Sequence, residues 1–277
     1  MIHISGTSAL VLLWGGKEAY KSKLAQKYLE NLDLSAGEEL YSECNKIWEQ
    51  YYEILRNRKY GVFNFLKSIL NQSEDYQVII LAAGIAPLSL DIIEKFPNTK
   101  VFDTDIENMD VKRKLYEELH GKKITGNIHF LECDITDKEG FKKSLVQNGW
   151  DENKKSIVIA EGISYYLSEE ELWNTFSLFK SKDQSNYIIL ESRLPHDKVA
   201  EDRKEIQEKV WDYLSKTLSL KYVTRYYDEK VKEYTDKLNG EVLMKYTMKD
   251  VEMMRHGKNE IFPEHNSGWI EIRKIQV

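Results

Sequence analysis

Small residues and carboxylates follow several short apolar runs of the chain, where they are suited to binding a small molecule. The segment "AAGIA", which contains Gly84, comes directly after "VIIL". Asp103, Asp134 and Glu161 each come shortly after a later apolar run. A small residue lets another molecule approach the backbone closely, and a carboxylate accepts hydrogen bonds from hydroxyl and amino groups. Together these residues predict a binding site for a polar organic ligand.

The spacing between Gly84 and Asp103 indicates the kind of ligand. Asp103 lies about twenty residues beyond the turn, where a carboxylate typically accepts hydrogen bonds from the ribose of a nucleotide-like cofactor. A nicotinamide cofactor fits this description, but "AAGIA" lacks the GxGxxG pattern that lets a pyrophosphate approach the backbone. Asp134 would suit an adenine amino group. Two acidic residues favour S-adenosylmethionine, which has no phosphate for them to repel.

The apolar runs alternate with segments long enough for helices, and this pattern predicts an α/β fold. Runs as uniformly apolar as "VIIL" are typical of a parallel sheet that is covered by helices on both faces. Ligands bind beyond the carboxyl ends of such strands, so Gly84 and the three carboxylates would meet at one edge. The predicted parallel strands are Val78–Leu81, Val101–Phe102, Ile128–Leu131, Ile157–Ala160 and Tyr187–Leu190.

The two ends of the chain have different patterns. Apolar residues near helical spacing in the first seventy or so residues predict several helices without strands. Asp197–Lys216 is predicted to form a long charged helix. After it, "KYVTRYY" and "GWIEIRKIQ" have the composition of strands and predict an antiparallel pair at one edge of the sheet.

Composition limits the partners and the compartment. The 277 residues carry a formal net charge of -6 with no block of Lys or Arg, which argues against a long nucleic acid as partner. Cys44 and Cys133 are expected to be reduced thiols, and the spacing of Cys and His suggests no metal site. Met1–Leu13 lacks a basic segment and a cleavage site and is too short to span a bilayer. We therefore expect a cytoplasmic protein with no nucleic-acid or membrane partner, whose oligomeric state is open.

Four segments in order resemble the leucine carboxyl methyltransferase family, which includes bacterial polyketide and natural-product O-methyltransferases. They are "RKYGV", "IILAAGIAP", "VFDTDIENM" and "IVIAEGISYYLSEEE", and they extend from Arg58 to Glu171. The resemblance implies a Rossmann-like class I methyltransferase fold with a seven-stranded, mostly parallel sheet and an antiparallel C-terminal edge. It also implies one domain, 1–277, with an N-terminal helical lid over 1–73 and the Rossmann-like core over 74–277.

The resemblance implies roles for individual residues around S-adenosylmethionine. Arg58 matches the arginine that holds the methionine carboxylate, a pairing to which a guanidinium is suited. Gly84 matches the glycine against which the cofactor lies, and Asp103 matches the ribose carboxylate. Glu161 matches the acidic residue near the methionine amino group. The pair that flanks adenine in the family corresponds to Asp134 and Ile135.

The acceptor side has weaker support. Its candidate residues are Tyr166, which matches a family tyrosine, and Arg193 and His196, which follow the fifth predicted strand. Ala82 replaces the first glycine of the turn, and the basic residue near the start of the family has Lys17 as its nearest candidate. Taken singly, Gly84, Asp103 and Asp134 would also suit a turn or a helix cap.

The expected function is transfer of a methyl group from S-adenosylmethionine to an oxygen of a small molecule. Two alternatives remain open at this stage. The protein could transfer or cyclise the aminocarboxypropyl arm of the cofactor, or it could bind the cofactor without catalysis. The sequence does not identify the acceptor.

Overall fold

A seven-stranded sheet forms the centre of the computed structural model, which describes residues 2–72, 75–218 and 223–277. The strand order is β5-β4-β3-β6-β7-β9-β8. The first five strands of this order are parallel, and β9 is antiparallel to both of its neighbours. The strands are β3 (Gln77–Leu81), β4 (Lys100–Asp105), β5 (Ile128–Glu132), β6 (Ser156–Ala160), β7 (Tyr187–Arg193), β8 (Glu241–Thr247) and β9 (Ile270–Gln276).

The central strands are buried on both faces, which explains their uniformly apolar sequences. Every residue of β3 and of β6 is buried. Val78 and Ile80 belong to one core cluster, and Ile79 and Leu81 belong to the cluster on the opposite face. Because neither face meets water, Val, Ile and Leu occupy consecutive positions. The five predicted parallel strands are thereby confirmed, and the expected seven-stranded sheet with an antiparallel edge is present.

The N-terminal segment is helical, but it also contains two short strands that the sequence analysis did not predict. The strands β1 (Ile2–His3) and β2 (Leu32–Asp33) pair in parallel as a small separate sheet. α1 is kinked at Gly16, whose φ of 57° lies in the left-handed region. The helices before the central sheet are α1 (Gly6–Ala19), α2 (Lys23–Leu29), α3 (Glu38–Ile47) and α4 (Tyr51–Leu70).

The remaining helices follow the strands of the central sheet. The expected long charged helix is present as α10, preceded by a short 3-10 turn at His196–Lys198. These helices are α5 (Leu88–Lys95), α6 (Met109–His120), α7 (Lys122–Thr125), α8 (Lys138–Gln147), α9 (Glu169–Phe176), α10 (Glu201–Leu218), α11 (Asp228–Lys237) and α12 (Met248–His256).

The prediction of an edge strand at "KYVTRYY" is wrong for the part of it that the structure describes. Lys221 and Tyr222 lie outside the described residues, and 223–227 form no strand. Thr224 N donates to Tyr165 O at 3.1 Å and Tyr226 N donates to Arg193 O at 2.9 Å, so this backbone bonds to the ends of other elements. The edge strand is β8, which pairs with β9.

α4 is packed closely against the sheet and the C-terminal segment. A Cβ atom at Gly61 would collide with Ile272 of β9, so glycine allows the helix to approach the sheet. Glu53 Oε2 accepts a hydrogen bond from Arg255 at 2.7 Å, and Asn57 donates to Met248 O at 3.3 Å. α4 is therefore attached to the core along much of its length.

Cys44 and Cys133 are both free thiols, as expected from the sequence. None of the helices in the described ranges combines the length and the apolar composition that crossing a membrane requires.

Candidate functional site

A cavity of about 250 Å³ lies where the sheet's carboxyl edge meets the helices. The turn after β3 and the end of β4 form its floor. α1 and α4 cover it on one side, and α10 contributes Trp211 and Leu214. This is the position in which open α/β sheets bind ligands.

The turn after β3 presents bare backbone to this cavity. Gly84 has a φ of 51°, and an added Cβ there would find only Asp105 Oδ2, at 4.0 Å. Ala82 also has a positive φ, 48°, which is a strained conformation for a residue with a Cβ atom. Both residues line the cavity. The space beside Gly84 fits the close approach of a flat or extended ligand.

Asp105, rather than Asp103, is the carboxylate that β4 presents to the cavity. Asp105 lines the cavity, and its Oδ2 accepts a hydrogen bond from Gly84 N at 2.8 Å. Asp103 and Asp105 are two positions apart and therefore point to the same face of the sheet. Asp105 is the last residue of β4, whereas Asp103 lies two residues before the end of the strand, further from the cavity.

Asp103, the residue predicted to bind the ribose, is buried below the cavity. Its side chain is fully buried, with Oδ2 2.7 Å from Lys112 Nζ and 2.7 Å from Ser89 Oγ. Burial lowers the pKa of Lys112, and the neighbouring Asp103 only partly opposes this. Asp103 belongs to a polar cluster inside the core and does not line the cavity.

Glu161, which follows β6, is held between two cations of α4. Its Oε1 lies 2.9 Å from Arg58 Nε and 2.8 Å from Lys59 Nζ, and the Glu161 side chain is only 4% exposed. Burial by itself would raise the pKa of Glu161, but Lys59 and Arg58 outweigh it and hold the pKa below its usual value. The three side chains all line the cavity.

A second carboxyl group lies behind the site. Glu191 of β7 is fully buried, and its Oε2 accepts a hydrogen bond from Gly162 N at 2.7 Å. Burial raises the pKa of Glu191 despite the nearby Arg58. Its other oxygen has no hydrogen-bond partner among the described residues. Glu191 therefore positions the loop that carries Glu161.

The predicted adenine pair lies next to the cavity but does not line it. Asp134 is exposed, and its Oδ1 accepts hydrogen bonds from Thr136 N at 2.8 Å and Thr136 Oγ1 at 2.7 Å. Ile135 is buried in the core on the other face of the sheet. Cys133 N donates to Asp105 O at 2.7 Å, which places this loop beside the end of β4.

The acceptor-side candidates separate into two groups. Tyr166 and Arg193 line the cavity, where Arg193 lies over the ring of Trp211 at 4.3 Å. His196 is at the surface, with Nε2 3.0 Å from Glu208, and does not line the cavity. Lys17 is also at the surface, paired with Glu30 at 2.6 Å.

Sequence reasoning placed Asp103 and Asp105 after the same apolar run but favoured Asp103, and it gave Lys59 no role. Asp105 is the second aspartate of "VFDTD", but the sequence alone does not show that the strand continues as far as this residue. Lys59 follows Arg58 directly, and consecutive helical residues usually point in different directions. Nothing in the sequence indicated that both would reach Glu161.

Solved structures with the same overall fold are methyltransferases or related proteins. A DUF574 family protein from Streptomyces avermitilis MA-4680 has a TM-score of 0.68 and 11% identity, covering 98% of this chain and 97% of that chain. A provisionally named methyltransferase from Thermobifida fusca YX has a TM-score of 0.64 and 13% identity, covering 93% and 94%. Magnesium protoporphyrin IX methyltransferase from Synechocystis PCC 6803, with bound S-adenosylhomocysteine, has a TM-score of 0.50 and 11% identity, covering 86% and 94%. The fold is that of class I methyltransferases.

The family assignment comes from the sequence. The family model for leucine carboxyl methyltransferase matches residues 19–180, more than half of the chain. The chain therefore belongs to the leucine carboxyl methyltransferase family and is an S-adenosylmethionine-dependent methyltransferase. No curated protein sequence matches the chain significantly.

Proposed function

We propose that the protein transfers a methyl group from S-adenosylmethionine to an oxygen, of a carboxylate or a hydroxyl group, on a small molecule. The observation that carries this proposal is that one cavity combines two different environments. One end has bare backbone and paired charges at Gly84, Asp105 and Glu161, and the other has aromatic walls and Arg193. The first suits the cofactor and the second suits an organic acceptor.

The cofactor end contains a group for each polar part of S-adenosylmethionine. We assign the ribose to Asp105 in place of Asp103, because only Asp105 lines the cavity. Arg58 and Lys59 would hold the methionine carboxylate, and Glu161 would hold the amino group. The assignment of adenine to Asp134 and Ile135 remains a prediction, which the hydrogen bond from the preceding Cys133 N to Asp105 O supports.

The chemistry requires alignment more than it requires a reactive side chain. When bound, S-adenosylmethionine supplies a methyl group that its sulfonium has already activated. The protein would bind the acceptor in line with that group and exclude water. Trp14, Tyr51, Tyr166 and Trp269 line the cavity and are suited to excluding water.

We propose that the movable cover is limited to α1–α3, within the expected lid of 1–73. α4 is hydrogen-bonded to α12 and packed on β9, so it would remain with the core. α1 lines the cavity and contains the kink at Gly16. The chain would then be one domain with a smaller lid than the sequence predicts.

Two measurements test the proposed function. Calorimetry should show binding of S-adenosylhomocysteine. The protein should then transfer radiolabel from methyl-labelled S-adenosylmethionine to small acids or phenols, leaving S-adenosylhomocysteine. Alkali separates the oxygen acceptors, because it releases labelled methanol from an ester and leaves an aryl ether intact.

Other results would contradict the proposal in different ways. Formation of methylthioadenosine would indicate use of the aminocarboxypropyl arm. Tight binding without product from either acids or phenols would favour a non-catalytic binding protein. Radiolabel on a nitrogen or carbon atom of the product would show that the acceptor atom is not oxygen.

A further inference from the structure

Arg193 is a buried cation without a counter-charge at the acceptor end of the cavity. The residue is 4% exposed and stands at the end of β7. Within the described ranges, its guanidinium forms no ion pair, and its Nε has no hydrogen-bond partner. Buried charges are normally paired, so an unpaired one that lines a cavity points to a charged ligand.

The surroundings of Arg193 leave its charge uncompensated. Burial lowers the pKa of Arg193 to about 10; Tyr51 and Tyr165 oppose this only in part, and the nearby Arg225 acts in the same direction as burial. A carboxyl group that acts on Arg193 is that of Glu191, which accepts a hydrogen bond from Gly162 N and whose own pKa is raised by burial. An anion that enters the cavity would therefore meet a net positive potential here.

Trp211 supplies a second unpaired donor at the same wall. Its ring lies 4.3 Å from the Arg193 guanidinium, and its buried Nε1 has no partner in the part of the chain that the structure describes. Tyr165 and Tyr166 pack against it, with ring centroids 5.5 and 6.1 Å from that of Trp211. Two N–H donors beside a group of rings suit an anionic group on a planar body.

We infer that Arg193 and Trp211 form a subsite that binds the carboxylate of a planar, aromatic or conjugated acid. This acid is the methyl acceptor. A single guanidinium matches one carboxylate charge, and its fork geometry pairs with both carboxylate oxygens. A phosphate dianion would need a second free cation in the cavity. Arg225 does not line the cavity, and Arg58 and Lys59 are paired with Glu161 and assigned to the cofactor. This inference rests on the proposed function, because it names the class of acceptor.

Benzoate and benzamide form a matched pair of probes for this subsite. They have the same ring and similar shape, and only benzoate is charged. With S-adenosylhomocysteine at saturation, calorimetry should show benzoate binding about tenfold more tightly than benzamide, because the Arg193 guanidinium pairs with the benzoate charge. Arg193→Gln should abolish this preference, and Arg193→Lys should retain part of it.

Two further variants separate the subsite from general effects. Trp211→Phe keeps a ring and removes the N–H, and it should weaken benzoate binding by about threefold with little effect on benzamide. Arg113→Gln alters an exposed arginine on α6 and should change the affinity for neither benzoate nor benzamide. Thermal unfolding of each variant checks that it is folded.

The outcomes distinguish failure of the subsite from failure of the proposed function. If S-adenosylhomocysteine binds normally but benzoate shows no preference over benzamide, or neither binds, the subsite is overturned. A benzoate preference that survives in Arg193→Gln would overturn the assignment to Arg193. Absence of S-adenosylhomocysteine binding would contradict the proposed function itself.

Discussion

The two ends of the cavity differ in how their charges are balanced. At the cofactor end, Glu161 contacts both Arg58 and Lys59, and Asp105 accepts the hydrogen bond of Gly84. At the acceptor end, Arg193 has no such partner within the described residues. The cofactor end is thus already held in place by its own contacts, whereas the acceptor end leaves its charge for a ligand.

This difference suggests opposite effects of mutation on stability at the two ends. Removing one member of a buried ion pair leaves the remaining charge without compensation and is strongly destabilising. Removing an unpaired buried charge eliminates a desolvation cost that the folded protein already bears. Three predictions test this contrast and a fourth tests the strained turn at the cofactor end, in order of decreasing effect.

Glu161→Gln should lower the free energy of unfolding by about 3–5 kcal/mol, because Arg58 and Lys59 would remain buried beside each other. Because the pKa of Glu161 is lowered in the folded protein, its contribution is complete above the usual value of 4.5. It is lost as the pH falls through the lower folded value. Urea unfolding from pH 3 to pH 8 should show the difference from the unaltered protein shrinking below pH 4.5. Glu170→Gln, at an exposed position of α9, should have little effect, and an equal effect there would contradict the contrast.

Asp105→Asn should weaken S-adenosylhomocysteine binding by about tenfold to a hundredfold, since a charged hydrogen-bond acceptor is lost. Its matched control is Asp103→Asn in the same strand. That variant should leave the affinity nearly unchanged but lower the free energy of unfolding by about 3 kcal/mol, because Lys112 loses its partner. Calorimetry and urea unfolding measure the two effects. The reverse result would restore Asp103 as the ribose residue.

Arg193→Met should raise the free energy of unfolding by about 1 kcal/mol, which is opposite in sign to the effect of Glu161→Gln. Loss of the contact with the Trp211 ring offsets part of the gain. Affinity for S-adenosylhomocysteine should stay the same. Destabilisation by several kcal/mol would mean that Arg193 has a compensating partner, and the comparison of the two ends would fail.

Ala82→Gly should raise the free energy of unfolding by about 0.5 kcal/mol. The left-handed conformation of Ala82 costs about 1–2 kcal/mol, and the greater freedom of glycine in the unfolded chain offsets about 0.5–1 kcal/mol of this. Ala83→Gly, where no strain is relieved, should destabilise the protein instead. Similar changes at both positions would show that the turn is not strained at Ala82.

The sheet could be predicted because its central strands are buried on both faces and are uniformly apolar. Glu161 was also predictable, because a carboxylate directly after such a strand reaches the carboxyl edge. Which of Asp103 and Asp105 lines the cavity could not be predicted, because β4 continues for three residues beyond the predicted strand end at Phe102. Those residues are polar, yet they lie in the sheet. Thr104 Oγ1 donates to Ile80 O at 3.0 Å, and Asp103 pairs with Lys112, so burial is compensated by partners distant in sequence.

One strand of the C-terminal edge was assigned to the wrong segment for a related reason. β8 contains exposed Leu243 and Met244 next to a bulge, so its sequence shows no regular alternation. "KYVTRYY" has the composition of a strand, but its Tyr226 is buried in the hydrophobic core without belonging to a strand. Composition alone does not distinguish these two uses of aromatic and β-branched residues.

The attachment of α4 has a consequence for the order in which the protein folds. Glu53 and Arg255, which hold α4 against the C-terminal segment, are 202 positions apart, and Asn57 and Met248 are 191 apart. β9, on which α4 packs at Gly61, is inserted between β7 and β8. During synthesis, the part of α4 that packs on β9 and α12 therefore remains uncovered until these C-terminal elements have been made. Contacts between residues this far apart in sequence favour slow folding and transient exposure of apolar surface.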